Sequence, residues 1–360
     1  MITTATSAIK RLFLLFLIIG GLYLAKTFLI PIAIGGVLAT LFLPLARMLE
    51  KKRIPKIVAS LLCIFVLLFC VSAIGAVLGW QVSSLLGDYA LIKQQAAASV
   101  NIIQEYILVH SGISVEKQLQ ILNNDQLSVP DIMQSLVASA VYIISGFVLT
   151  LAYIILFLYY RHHLKEFCLK ITQPSQRDEM SIVLSRVAHV SQLYLLGLAK
   201  MIFCLWIMYG VGFSLLGIKN ALFFAVLCGL LEIVPFIGNI TGTTLTVVVA
   251  AVQGAGFPLL AGIVATYGVV QLIQGWVLEP VILGPQVKIN PFTTIIALVL
   301  GELIWGIPGI FLAIPLVAMA KIVCDHVEAL KPYGFLIGAV ETKNKSPLKL
   351  IARKIKSAVR

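Results

Sequence analysis

Charge is scarce in this sequence. Only 12% of its 360 residues are Asp, Glu, Lys or Arg, whereas soluble proteins carry about a quarter. With 60% hydrophobic residues and a mean hydropathy of +1.03, this excludes an ordinary soluble globule. Cys-x-x-Cys spacing is also missing. The six cysteines, Cys63, Cys70, Cys168, Cys204, Cys228 and Cys324, lie in or beside apolar stretches and none falls in the polar segment 81–135, so neither disulfides nor a zinc site is indicated. No Gly-x-x-x-x-Gly-Lys-Ser/Thr occurs, which removes a P-loop ATPase from this chain. No His-Glu-x-x-His or Gly-x-Ser-x-Gly occurs either, which weakens an intramembrane hydrolase. His162 and His163 are adjacent, cannot share one helix face, and read as a surface pair. No catalytic residue, metal ligand set or cofactor is assigned, and an enzyme is not expected.

What is present is long apolar runs. Leu12 to Ala25, Ile57 to Trp80 and Leu136 to Tyr160 reach or approach the roughly 20 residues that cross a bilayer core as a helix. Helices follow because lipid offers backbone amides no partners. The expected fold class is an all-α integral membrane protein, a multi-pass helical bundle. The first run follows Lys10 and Arg11, yet Leu22 to Thr27 shows no small-residue cleavage pattern, so it reads as an uncleaved helix. The bilayer is the expected surrounding and nucleic acid is not an expected partner.

The formal net charge of +12 is informative through its distribution, because cytoplasmic loops collect Lys and Arg. Arg47, Lys51, Lys52, Arg53 and Lys56 stand against Glu50, and seven basic residues follow residue 342 with no acidic one. Both stretches are expected inside. Segment 81–135 carries Asp88, Glu105, Glu116, Asp125 and Asp131 against Lys93 and Lys117, and is expected outside. The organisation that follows is N-terminal transmembrane helices over 1–80 and an extracytoplasmic helical segment over 81–135. A long transmembrane helix and basic linker occupy 136–192, a transport core 193–330, and a basic cytoplasmic tail 331–360. Residues 12–25 and 28–46 are expected to form a helical hairpin turning near Lys26 and Pro31. In the tail, Leu348, Ile351, Ile355 and Val359 share a helical face ringed by basic residues, which reads as an interfacial helix on anionic lipid or as a disordered basic tail.

The second half departs from plain spans. Ala221 to Val234 is followed by Pro235-Phe236-Ile237-Gly238-Asn239 and then Ile240 to Val252. Phe292 to Leu303 is followed by Trp305-Gly306-Ile307-Pro308-Gly309 and then Ile310 to Val323. Most of these arms have 12 to 14 residues, roughly 18 to 21 Å of helix against a core of roughly 30 Å. Two re-entrant hairpins entered from opposite sides, separated by a crossing over 257–276, fit this pattern. Short tilted spans are the alternative.

Ionisable side chains at membrane depth are functional candidates by default, and here they are Lys200, Glu232, Glu279 and Glu302. Glu232 leads, because broken helices expose backbone dipoles where transporters bind solutes and ions, and a carboxylate there can exchange a proton. Its structural role would be bonding to amides at its own break or pairing with Lys200. Glu302 holds the matching place in the second break, while Glu279 precedes Pro280. Gln271 and Gln274 lie one turn apart and could meet a polar solute or bond between helices. Pro235, Gly238, Asn239, Gly306 and Pro308 complete the candidate substrate or ion site, although the glycines also suit tight turns and close helix approach.

Together Phe42-Leu43-Pro44-Leu45, Val234-Pro235-Phe236-Ile237-Gly238, Leu278-Glu279-Pro280-Val281-Ile282-Leu283-Gly284, Asn290-Pro291-Phe292, Gly306-Ile307-Pro308-Gly309 and Ala313-Ile314-Pro315-Leu316 resemble the autoinducer-2 exporter family, the PerM-like permeases. The resemblance implies a multi-pass permease of the bacterial inner membrane, both termini cytoplasmic, assembled as a homo-oligomer with a pentamer as the expected form. It implies export of a small polar solute such as autoinducer-2 or, in other branches, Na⁺(Li⁺)/H⁺ exchange. The chain departs from the usual pattern at Glu232, where an amide or apolar residue is common, and at Asn239, where a second proline is common. Both departures point toward an ion-linked role. An oligomeric scaffold without transport is the third reading.

Overall fold

The computed structural model describes residues 2–87, 129–235, 237–284 and 288–339. The greater part of the polar segment 81–135 and the stretch 347–360, read above as an interfacial helix or a basic tail, lie outside the described residues. Helix α1 (Ile2–Leu24) leads into α2 (Lys26–Lys51), then α3 (Lys56–Gly87), α4 (Val129–Ile171), α5 (Arg177–Leu215), α6 (Ala221–Leu231), α7 (Ile237–Val252) and α8 (Phe257–Ile273). Helix α8 continues as a π-helix over Gln274–Leu283, and α9 (Pro291–Trp305), α10 (Ile307–His326) and the short α11 (Lys331–Ile337) follow. Among the described residues six helical stretches are long and apolar enough to cross a bilayer: Lys26–Lys51, Lys56–Ser83, Val141–Ile171, Pro174–Leu215, Phe257–Leu283 and Ile307–His326. The chain is a multi-pass helical membrane protein. Its many exposed apolar side chains, such as Phe65, Ile143, Phe203 and Trp276, suit a lipid solvent in which apolar surface needs no cover.

Helix α5 is the axis of the molecule. It packs against α2, α4, α6, α8, the π-helix and α10, and its buried Tyr194, Leu198, Met201, Leu205, Tyr209 and Phe213 form the centre of the larger core. A second core joins α2, α3 and α4 through Phe42, Ala46, Cys63, Ile154 and Leu158. Gly35 on α2 faces Tyr153 and the Thr150 carbonyl on α4 so closely that a Cβ would collide with them. An ion pair between Arg161 and Glu50 closes the same helix pair at its basic end.

The hairpin expected near Lys26 and Pro31 is not formed. Only Ala25 separates α1 from α2, its N–H donates to the Gly21 carbonyl at 2.9 Å, and its own carbonyl accepts from Phe28 and Leu29. Reversing a helix takes a connection of about two residues or more, so one residue with its ladder intact yields a kink. Pro31 is buried inside α2. The kink is held from outside by Trp305, whose Nε1 donates to the Leu22 carbonyl at 3.0 Å, and across itself by Lys26 Nζ, 4.6 Å over the Tyr23 ring.

The two broken segments are helical hairpins. In the first, α6 and α7 pack together, with Gly238 against the Leu231 carbonyl and Gly242 against Cys228. In the second, α9 and α10 pack together, and Gly301 and Gly309 meet backbone to backbone. Gly306 turns this second tip at φ 64, ψ −142, a conformation essentially confined to glycine. Asn290 clamps the open end. Its Oδ1 accepts from Thr293 N at 2.8 Å, capping α9, while its Nδ2 donates to the carbonyls of Leu336 at 2.6 Å and Gly338 at 3.0 Å. Helix α10 is longer than the arm drawn from the sequence, with 20 residues, about 30 Å. It starts directly after Gly306 because Pro308 sits in the first turn, where a missing N–H has no intrahelical partner to lose.

Substituting Gly306→Ala is expected to destabilise the purified protein by about 1–3 kcal/mol, the cost of a sparsely populated backbone conformation, and Gly309→Ala to destabilise it by overlap with Gly301. Gly268→Ala, where a Cβ meets nothing within 4 Å, should be neutral or mildly stabilising. Thermal unfolding in detergent measures all three. Opposed hairpins predict that, in a background without native cysteines, Lys219→Cys at the base of the first and Lys288→Cys at the base of the second react with a membrane-impermeant thiol reagent from opposite sides. Labelling of both from one side contradicts that arrangement.

Candidate functional site

Glu232 follows Leu231, the last residue of α6, and stands three residues before Pro235. Its N–H still bonds the Cys228 carbonyl at 3.2 Å, and the Gly238 N–H bonds the Val234 carbonyl at 2.9 Å, so the break is a tight, hydrogen-bonded corner. The absence of a Cβ at Gly238 lets α7 start against the Leu231 carbonyl. That corner directs Glu232 inward, where only 4% of its surface stays accessible.

The partner comes from the other side of the core. Gln274 is the first residue of the π-helix, and the widening has a cause in Pro280, which lacks an N–H and whose ring would strike the carbonyl four residues earlier in an α-helix. The wider turn is visible where the Gly284 N–H bonds the Glu279 carbonyl. Gln274, 2% exposed, donates from Nε2 to Glu232 Oε1 at 2.6 Å. Its Oε1 accepts from Asn239 Nδ2 at 3.5 Å. A carboxylate, a carboxamide and a second carboxamide thus form a chain across the helix break and the π-helix.

Around that chain Glu232 Oε2 and Asn239 Oδ1 are buried with no partner among the described residues, and the buried Thr243 Oγ1 and Tyr209 hydroxyl have only each other to meet. Glu232, Cys228, Thr243 and Tyr267 are neighbours of Tyr209. Two unsatisfied buried oxygens on one polar chain are unusual, since nearly all buried polar groups are hydrogen-bonded and each exception calls for a physical reason. Such a set can accept a proton or offer oxygen ligands to a small cation.

Of the sequence candidates, the structure brings Glu232, Asn239 and Gln274 together, with Gly238 shaping the corner and Pro235 half-buried within it. Gln271 lies one turn before Gln274 but donates instead to the Tyr267 hydroxyl at 3.4 Å. Glu279 is exposed on the π-helix and Glu302 is exposed on α9, so neither joins the chain. Gly306 and Pro308 build the second tip, away from the Glu232 cluster. Lys200 is exposed and makes no ion pair with Glu232, whose position as partner Gln274 takes. No group of three or more His, Cys, Asp or Glu side chains that could hold a metal is found among the described residues.

Sequence reasoning passed over Tyr209, Thr243 and Thr246. Asn239, Thr243 and Thr246 fall at i, i+4 and i+7, a polar stripe on one face of an otherwise apolar helix, and that spacing could have marked them. Thr246 is internally satisfied, its Oγ1 donating to the Gly242 carbonyl at 2.8 Å. Tyr209 gives no local signal, because it stands among apolar residues of α5. Gln274→Leu is expected to leave Glu232 and Asn239 both without their partner and to lower stability by about 1–3 kcal/mol, the cost of orphaned buried polar groups. Gln271→Leu should cost less, its bond being longer and half-buried. Thermal unfolding of the purified variants distinguishes them.

The model of the AI-2E family transporters matches residues 12–329. The chain is 26% identical over 313 residues to YueF of Bacillus subtilis (strain 168), named as a candidate transport protein, a match covering 82% of this chain and 83% of the relative. It is 25% identical over 302 residues, 80% of each chain, to the similarly named MT0215 of Mycobacterium tuberculosis (strain CDC 1551 / Oshkosh). With YhhT of Escherichia coli (strain K12), also named as a candidate transport protein, identity is 21% over 349 residues, 96% of this chain and 97% of the relative. A broken-helix core with a buried polar chain, in a match that runs nearly from end to end, leads to one statement: the chain belongs to the AI-2E transporter family.

Proposed function

We propose that this membrane transporter is a secondary carrier whose coupling site is the Glu232–Gln274–Asn239 chain, and that it exchanges a monovalent cation against a proton. The observation that carries the reading is a buried carboxylate with one oxygen held by a neutral amide and the other unpaired. An ionised carboxylate without a counter-charge is unstable by several kcal/mol in a low-dielectric interior. A proton or a cation removes that cost, and alternation between the two is the chemistry of an antiporter. The neighbouring oxygens of Asn239, Thr243 and Tyr209 would complete the ligation of a small hard cation, beside a break of the kind that carriers use for ion sites.

Export of a small polar solute resembling autoinducer-2, by a carrier that uses the same broken helices, is the reading favoured by the family match across residues 12–329. In either case the expected setting is a bacterial inner membrane, the C-terminus cytoplasmic, with several copies forming a scaffold against which the hairpin core moves; without the N-terminal hairpin, the cytoplasmic N-terminus that it implied has no support.

Glu232→Gln separates these readings without disturbing the fold, because the new carboxamide oxygen can still accept from Gln274. In liposomes with a lumenal pH indicator, external Na⁺, Li⁺ or K⁺ is expected to drive proton flux through the wild type and not through Glu232→Gln. Absence of flux in the folded wild type would set the antiporter aside in favour of solute export.

A further inference from the structure

A second polar site lies away from the transport core. Where the last turns of α2 pass the first half of α5, a cavity of about 370 Å³ opens, within the roughly 300–1,000 Å³ of small-ligand sites. Arg47 and Lys51, one turn apart on α2, supply its cationic wall, and His189 and Gln192, at i and i+3 on α5, supply hydrogen-bonding groups opposite. Leu43 and Met48 form an apolar wall beside them. Among the described residues neither Arg47 nor Lys51 has a carboxylate partner. The one acid nearby on α2, Glu50, is committed to Arg161 on α4, leaving this face of α2 uniformly positive.

Depth identifies the ligand. A bilayer core of roughly 30 Å is crossed by about 20 helical residues. Measured back from Leu215, the outer end of α5, that length reaches the region of Leu195 and Leu196. Gln192 and His189 lie about 5 to 10 Å beyond it at 1.5 Å per residue, which is the headgroup layer. The basic loop after α2 assigns this end of the helices to the cytoplasmic side. A pocket with a cationic fork, two further hydrogen-bonding side chains and an apolar wall, opening at headgroup depth, matches a phosphodiester attached to acyl chains.

We propose that this cavity binds the phosphate headgroup of an anionic phospholipid of the cytoplasmic leaflet, Arg47 and Lys51 meeting the phosphate and Leu43 and Met48 the upper acyl chain. Basic pockets between membrane helices on this side are suited to such headgroups. The ligand bridges α2 and α5, so lipid composition would act on the junction between the N-terminal helices and the transport core.

The test uses the purified full chain in neutral detergent, with fluorescent phosphatidylglycerol as probe and fluorescent phosphatidylcholine as comparison. Phosphatidylglycerol is expected to bind with preference, and R47Q/K51Q to weaken it by about tenfold or more, as loss of two basic contacts implies, with phosphatidylcholine unchanged. Lys165→Gln, a cation lost from the same end of α4 but outside the cavity lining and without releasing Glu50 from Arg161, should leave binding intact. Equal phosphatidylglycerol binding by the wild type and the double variant overturns the proposal, and so does full displacement of the probe by millimolar inorganic phosphate, which would make the site one for soluble phosphate compounds. Should the double variant not fold, a photoreactive phosphatidylglycerol analogue on the wild type decides. Cross-links mapping to residues 43–51 or 189–192 support the site, and cross-links confined elsewhere overturn it.

Discussion

The hydrogen bond from Gln274 to Glu232 ties together the two irregular pieces of backbone on which the transport core depends. One is the corner between α6 and α7, the other the widened helix that begins at Gln274. Irregular backbone is tolerated at membrane depth only where protein covers it or water reaches it. Helix α5 provides that cover, passing both pieces with Tyr209 and Phe213 fully buried. The corner exists to turn the chain and the cover exists to keep lipid out. A carboxylate placed between them then has few neighbours with which to share its charge.

The two hairpins solve one backbone problem with different chemistry. At the second tip the solution is steric: Gly306 adopts a conformation closed to other residues, Gly301 and Gly309 let the arms touch, and Asn290 ties the ends. Every polar atom mentioned there has a partner. At the first tip the turn is made by proline and helical-type bonds, and two polar groups beside it, Glu232 Oε2 and Asn239 Oδ1, are left over. Structure alone does not require such a surplus, since apolar side chains would fill the same space at lower cost. The asymmetry is therefore a reason to place ligand chemistry in the first hairpin and mechanical support in the second.

Much of this was readable in the amino-acid order. Hydropathy and charge distribution gave the helical membrane class, and the Gly/Pro punctuation located both breaks to within a few residues. Glu232, Asn239 and Gln274 were each singled out, but their convergence was not visible. Gln274 is separated from Glu232 by 42 positions, and its orientation depends on a π-helix that hydrophobic periodicity cannot register. Glu302 misled because matching position in a repeated layout does not imply matching burial: α9 presents it outward, while the corner after α6 turns Glu232 inward. The N-terminal hairpin rests on Lys26 and Pro31, but Lys26 is simply the first residue of α2 after a one-residue kink, and Pro31 lies inside α2, buried against the bundle. Tyr209 could not be distinguished from its apolar neighbours, because a buried tyrosine declares itself only through what its hydroxyl faces.

Pro280 carries the reasoning one step further. It lies six residues beyond Gln274, on an exposed stretch, and touches neither Glu232 nor Asn239 through any bond described above. Yet the π-helix around it decides the direction in which Gln274 leaves the backbone. A regular α-helix over the same residues would wind by a different amount per residue and carry Gln274 away from its present direction, leaving both Glu232 oxygens unpaired. A proline with no N–H to satisfy therefore fixes the donor on which a buried carboxylate relies, and a widened turn of this kind is most often retained at functional sites. The same rigidity explains why Gln271, one turn earlier and still in regular α-helix, ends up bonded to Tyr267 within its own helix.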